Sequence, residues 1–142
     1  MVDVSGKDVT TRTASAAGRV LVSPEVVLLL RGEGVPKGDA LGVARVAGIM
    51  AAKRTPDLVP LCHPLAISGV TVDLEVADDA VEITATVRTT DRTGVEMEAL
   101  TAVAVAGLTV VDMVKAVDKA AVISDVRVLA KSGGRSGAWS RS

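Results

Sequence analysis

From Ala99 to Val111 thirteen residues carry no charge, and only Thr101, Gly107 and Thr109 interrupt a run of Ala, Val and Leu. A surface helix shows one apolar stripe, whereas a helix apolar nearly all round has to be buried on most sides. The run is short of the roughly 20 residues needed to cross a bilayer. Charges crowd both of its ends: Glu96 and Glu98 before it, then Asp112, Lys115, Asp118 and Lys119 after it. The expected element is a central helix over Gly94–Lys119, with chemistry expected where its ionisable groups leave the core.

Composition limits what can surround that helix. Of 142 residues 49% are apolar, yet Phe and Tyr are absent and Trp139 is the one aromatic residue. The core must be built from Val, Leu, Ile, Ala and Met, which favours close helix–sheet packing. A chain of this length is most simply a single domain, 1–142, able to bury a core without disulfides. The formal net charge of −1, with no basic block and no aromatic platform, argues against nucleic acid as a partner. Cys62 alone cannot form an intrachain disulfide, and MVDVSGKDVT lacks the apolar core of a signal peptide. These features predict a soluble cytoplasmic protein with no membrane partner.

Residues 1–18, polar and rich in Ser, Thr and Ala, read as a loosely ordered arm, followed by a short strand at Arg19–Val22. Ser23 is a good N-cap for a helix with Pro24 at its first position and Glu25 near the positive dipole end. Asp39 caps a second helix to about Arg54, with Leu41, Ala44, Gly48, Ile49 and Ala52 at helical spacing. PDLVPLCHP, with three prolines in nine positions, predicts irregular structure over residues 56–64. Val70, Val72, Leu74 and Val76 alternate with polar residues, as do Val81, Ile83, Ala85 and Val87 beyond an Asp78-Asp79 turn. That pattern is an antiparallel hairpin with one apolar face. Val122–Leu129 gives a last strand, and 131–142 is a Gly/Ser-rich tail. The order is the β-α-β-β-α-β of the ferredoxin-like α+β class, an antiparallel sheet with helices on one face.

Asp112, Lys115 and Lys119, at i, i+3 and i+7, share one face of the expected helix. Asp112 lies among Val110, Val111, Met113 and Val114, so unless paired its carboxyl is partly desolvated and its pKa is open to a shift useful for proton transfer. An ordinary ion pair at a helix end explains the same spacing. Glu96 and Glu98 fit helix-start stabilisation as well as a site. Glu98 and Asp112 are two heptads apart, about 21 Å along an unbroken helix, so if both are functional the site is shared between subunits. His63 and Cys62 lack the further ligands that a zinc or iron site needs. His63 reads as structural or catalytic, although a triple-proline loop is a costly way to place a structural one. No GxxxxGK[ST] order is present. Arg12, Lys37, Lys53, Lys131 and Arg135 are each ordinary solvated surface taken singly, and together are enough cations for a triphosphate.

The strings MVDVSGK, AAKRTPDLVPLCHPL, TGVEMEALTAV, DMVKAVDK and VLAKSGGRSG together resemble the cyclic pyranopterin monophosphate synthase family, the C component of molybdenum cofactor biosynthesis. The likeness runs from Met1 to about Gly137 and departs at Pro56, where many members carry Trp. It implies a lyase that converts 3′,8-cyclo-7,8-dihydroguanosine 5′-triphosphate to cyclic pyranopterin monophosphate with release of pyrophosphate. It also implies a ferredoxin-like core and a homohexamer, a trimer of dimers, with active sites between subunits. On the same ground Asp112, Lys115 and Lys37 match catalytic positions. Leu61, Cys62, His63, Met97 and Glu98 match substrate-binding segments, and Glu96, Lys131 and Arg12 match polar positions of the pocket. No cofactor is required by the sequence; Mg²⁺ would arrive with the triphosphate. The competing reading, a nucleotide-sensing domain of ferredoxin-like fold, explains the cations and the oligomer but not an Asp-Lys pair. A structural oligomerisation module is the third.

Overall fold

A computed structural model describes residues 1–142. Its elements are β1 (Thr10–Leu21), α1 (Pro24–Arg31), α2 (Ala40–Lys53), α3 (Thr55–Leu58), β2 (Ile67–Val76), β3 (Ala80–Asp91), α4 (Glu96–Val114), β4 (Val122–Ser132) and β5 (Trp139–Ser140). The sheet order is β2-β3-β1-β4-β5, with every neighbouring pair antiparallel. The first four strands in that order form the ferredoxin-like plait, and α2 and α4 pack side by side against the sheet.

The predicted caps are present. Ser23 Oγ accepts from the Val26 N–H at 3.3 Å, and Asp39 Oδ1 accepts from the Gly42 N–H at 3.0 Å. The hairpin has the expected faces: Val72, Val81, Ile83, Ala85 and Val87 are buried, while Thr71, Asp73 and Glu75 are exposed. PDLVPLCHP is not wholly irregular, because Thr55–Leu58 forms one turn of helix. Pro56 suits that turn, where an N–H has no helical partner to lose.

The larger correction concerns the N-terminal stretch. Residues 10–18 are not a loose arm but the first three-quarters of β1, hydrogen-bonded on both sides by β3 and β4 at the middle of the sheet. Its core-facing positions are Ala14, Ala16, Gly18 and Val20, so the large apolar side chains that advertise a strand are missing. They are missing because α4 lies too close. A Cβ on Gly18 would stand 2.8 Å from Val103 Cγ1 of α4.

The same closeness joins the helices. Gly48 of α2 faces the α4 backbone, where a Cβ would lie 2.9 Å from the Ala102 carbonyl oxygen and 3.3 Å from Ala106 Cβ. With mean hydropathy 1.7 over an 18-residue window, α4 is long and apolar enough to cross a membrane, but half of that window is buried inside the protein. Ala99, Ala102, Val103, Ala106 and Val110 are all buried in the core. The helix is therefore a core element, as its uncharged run requires. It stops at Val114, with Lys115 as its C-cap, so Lys119 is not on its surface.

Replacing Gly48 with Val should overpack this contact at a cost of about 1–3 kcal/mol. Denaturant unfolding of Gly48→Val against the parent measures it, and an unchanged midpoint would contradict the packing described.

Candidate active site

The candidate side chains fall into two groups, one at each end of α4. The helix is unbroken from Glu96 to Val114, so Glu98 and Asp112 are held about 21 Å apart along its axis.

At the C-terminal end, Asp112 receives two lysines. Lys115 Nζ donates to Oδ1 at 2.7 Å from one turn along the chain. Lys37 Nζ lies 3.0 Å from both carboxylate oxygens, delivered by the turn between α1 and α2. That turn depends on glycine: Gly34 and Gly38 take φ of 91° and 118° on either side of Lys37, where an L side chain is strained. All three side chains are about half exposed. Asp112 is thus paired and hydrated rather than desolvated. Hydrogen bonds from Lys115 first and Lys37 second hold its carboxyl below the usual carboxylate range. It is an ionised acceptor bracketed by ammonium donors.

The N-terminal end is different in kind. Glu98 is only 3% exposed, and burial pushes its pKa up, with a further push from Glu96 opposed by its own backbone N–H. Cys62 lies nearby, its thiol raised by burial and then by the Glu98 charge. His63 Nε2 is 2.7 Å from the Val2 carbonyl oxygen. A cavity of 310 Å³ opens between the Leu61–His63 loop and the first turn of α4, reached by Glu96, Met97 and Glu98 and covered by Val2 and Val4. The Glu96 carboxylate folds back over Gly94, in the space a Cβ would take.

Beside this cavity the lining turns basic. Arg12 and Lys131 meet Glu96 and Ser136 in a small cleft of 130 Å³. Arg12 also lines a 510 Å³ cavity with Arg135, Gly134 and Ser136 and no apolar residue. Lys7 lines all three spaces, Thr93, Gly94 and Glu96 are shared by the first and the smallest, and Arg12 and Ser136 by the two basic ones, so the three adjoin. Arg12 is already oriented: its Nε donates to the Asp91 carbonyl at 3.1 Å and its Nη2 to the Asp8 carbonyl at 3.4 Å.

The structure therefore brings Leu61, Cys62, His63, Glu96, Met97, Glu98, Arg12 and Lys131 together, and sets Asp112, Lys115 and Lys37 apart. Of the five cations expected to act as one set, Lys37 belongs to the far group, and Lys53, at the end of α2, lines none of the three spaces. Lys7 and the Thr93-Gly94 pair are lining residues that periodicity could not single out; for Lys7 the MVDVSGK string was the available signal. The cleft can take a polar planar group against the Glu96–Glu98 turn and an anionic tail against Lys7, Arg12, Lys131 and Arg135.

Comparison with known proteins follows the same residues. A model of the MoaC family matches residues 1–134. The chain is 82% identical over its whole length to a cyclic pyranopterin monophosphate synthase of Streptomyces coelicolor, covering 84% of that protein. It is 80% identical over 99% of its length to one of a Nocardioides species, covering 88%. It is 64% identical over 99% of its length to cyclic pyranopterin monophosphate synthase 2 of Mycobacterium tuberculosis, covering 84%.

The raised Glu98 pKa has a readable sign. Its stabilising share is complete below the ordinary Glu value of about 4.3 and is lost as pH rises through the raised folded-state value, because burial disfavours the charged form. Glu98→Gln should therefore gain stability over the parent as pH rises above about 4.3, and the gap should then level off. Unfolding midpoints from pH 4 to 9 measure this, at about half-unit steps; a gap independent of pH would refute the burial effect.

Proposed function

The chain belongs to the MoaC family, and we infer that it is a cyclic pyranopterin monophosphate synthase acting in molybdenum cofactor biosynthesis. The observation that best supports this reading is the cleft in which a carboxyl-lined recess adjoins a cluster of cations. A substrate with a guanine-derived ring at one end and a triphosphate at the other, 3′,8-cyclo-7,8-dihydroguanosine 5′-triphosphate, has the same polarity. The ring's N–H donors face Glu96 and Glu98, with Leu61, Cys62, His63 and Met97 forming the surrounding wall. Arg12 and Lys131 neutralise the charge that builds as pyrophosphate leaves. Mg²⁺ enters this scheme only as a companion of the triphosphate.

Opening the imidazole-derived ring and reclosing it to a pterin requires protons to move. Asp112 and Lys115 carry that shuttle, as acceptor and donor. The lowered pKa keeps Asp112 ionised at neutral pH, so it is in the form that accepts a proton. A stronger carboxylic acid is also a weaker base, so the pair of lysines serves the acceptor best once substrate draws one of them away. Lys37, which bridges both Asp112 oxygens, is the group placed to make that exchange.

One chain cannot bring both groups to one substrate, because rigid α4 separates them. The site is completed by a second copy, Asp112, Lys115 and Lys37 of one subunit facing the Glu98 cleft of another, within a cytoplasmic hexamer built as a trimer of dimers. Exposed Val43, Val46 and Met50, spaced along one face of α2, and Leu108 on α4 supply apolar surface that assembly would cover. A nucleotide sensor of the same fold would also use the basic cleft, but it has no use for the Asp112–Lys115–Lys37 cluster.

Asp112→Asn should bind the cyclised dihydro-GTP as the parent does and lose turnover by about 10²–10⁴-fold. Pyrophosphate release from that intermediate, rather than from GTP, is the assay, and full activity would remove Asp112 from the mechanism. Two inactive variants altered at opposite ends, Asp112→Asn and Lys131→Ala, should regain part of the activity when co-assembled from denaturant, since some sites then receive both intact halves. Mixtures as inactive as the separate variants would mean that each site lies within one chain.

A further inference from the structure

The Gly/Ser-rich tail is folded back on the sheet. β4 ends at Ser132, and the chain leaves through Gly133 and Gly134 with φ of 91° and 75°. The Gly137 N–H donates to the Gly134 carbonyl at 3.3 Å, and the chain returns as β5 beside β4. Both glycines are required by their positive φ, and Gly133 also by the backbone it lies against. A Cβ on Gly133 would strike the Thr11 carbonyl, and one on Gly134 would strike the Arg12 guanidinium at Nη1. Arg12 is thus enclosed between the Asp91 and Asp8 carbonyls that its other nitrogens contact and the backbone of this turn. Lys131 Nζ reaches Ser136 Oγ of the same loop at 3.4 Å.

What keeps the loop there is its far end. Lys131 pairs with Trp139 and Ala130 with Ser140 across β4–β5. Beyond them the Arg141 N–H donates to the Leu129 carbonyl at 2.8 Å, and Arg141 Nε donates to the Val128 carbonyl at 2.7 Å. The Arg141 guanidinium covers the Trp139 ring at 5.5 Å from its centroid. Neither Trp139 nor Arg141 lines the cleft.

We propose that the Trp139–Arg141 segment is a positioning strap: by closing the base of the 132–138 loop it holds the Gly133-Gly134 turn against Arg12, and so presets Arg12 and Lys131 for the substrate's phosphates. The proposal rests on the cleft being the phosphate site. Its physical basis is preorganisation. Arg and Lys carry the largest side-chain entropies, and a cation fixed before the anion arrives loses less on binding. Loop residues alone would not fix it, since a seven-residue glycine-rich loop with a free end has many conformations, whereas pairing both of its ends leaves few. The cation–π stack adds to that pairing, and the two Arg141 hydrogen bonds lock the strand's register.

The test uses the full chain and two readouts: calorimetric binding of inorganic tripolyphosphate, and KM with kcat for the cyclised substrate. The double change Trp139→Ala with Arg141→Ala should weaken tripolyphosphate binding and raise KM by about tenfold, any fall in kcat accompanying that rise. Trp139→Phe, which keeps an aromatic face, should bind as the parent does. Gly134→Ala should reproduce the KM effect with the strap intact, because its Cβ displaces the turn from Arg12; if the double variant does not fold, this variant decides. Parental KM in the strap and Gly134 variants, or a loss confined to kcat, overturns the proposal. Arg12→Ala separates the two levels. If it weakens tripolyphosphate binding while the strap variants do not, only the strap fails. If it leaves binding unchanged, the phosphate reading fails and takes the strap with it.

Discussion

The close seating of α4 on β1 and α2 is the contact on which everything else in this fold depends. It is made by small residues on both sides: Ala14, Ala16 and Gly18 on the strand, Ala44 and Gly48 on α2, and Ala99, Ala102 and Ala106 on α4. With no Phe or Tyr to fill a wider gap, helix and sheet approach until Val103 of α4 takes the space over Gly18, α2 and α4 approach until Gly48 faces the Ala102 carbonyl, and the surrounding Val, Ile and Met side chains close the edges. Interiors packed to crystal-like density transmit strain rather than absorb it. A helix held in that way does not flex between its two functional ends. The distance from Glu98 to Asp112 is accordingly a property of the core.

How much of this was legible in the sequence depended on which side chains carried the signal. The β2–β3 hairpin was readable because large apolar residues alternate strictly with polar ones. The caps at Ser23 and Asp39 were readable because capping is local. β1 was not, since a strand under a closely seated helix carries Ala and Gly on its inner face and looks like a polar arm. The single turn of α3 was hidden by prolines that suggest irregularity, although Pro56 fits a first helical turn. Lys119 was placed on the helix only because no glycine or proline marks the end at Val114.

The site divides along the same line. Asp112 with Lys115 was visible as an i, i+3 pair, but Lys37 lies 75 residues away in sequence, and only the packing of the α1–α2 turn against the end of α4 brings it to the same carboxylate. The motif strings named Leu61–His63, Glu96–Glu98, Arg12 and Lys131 without saying that they share a cleft. Nor could they show that Lys37 is absent from it. The tail is the same case in reverse, because its glycines read as flexibility when the positive φ values and the Thr11 and Arg12 contacts make them requirements of an ordered turn.

Electrostatics then gives the two ends of one helix opposite characters, and does so against the helix dipole. Partial charge favours anions at the N-terminus and disfavours them at the C-terminus, by about 0.3–1 kcal/mol each. On that ground alone Glu98 should be the stronger acid and Asp112 the weaker. The reverse is found: Glu98 is raised and Asp112 lowered. Burial beside Glu96 outweighs the dipole at one end, and two ammonium donors outweigh it at the other. Carboxyls whose environments push their pKa values apart are suited to different tasks, here a buried carboxyl held above its ordinary range and a half-exposed one held below it. α4 holds the two apart along its length, about 21 Å from one to the other. The lysines that hold Asp112 down leave it half exposed, at the surface rather than in the core.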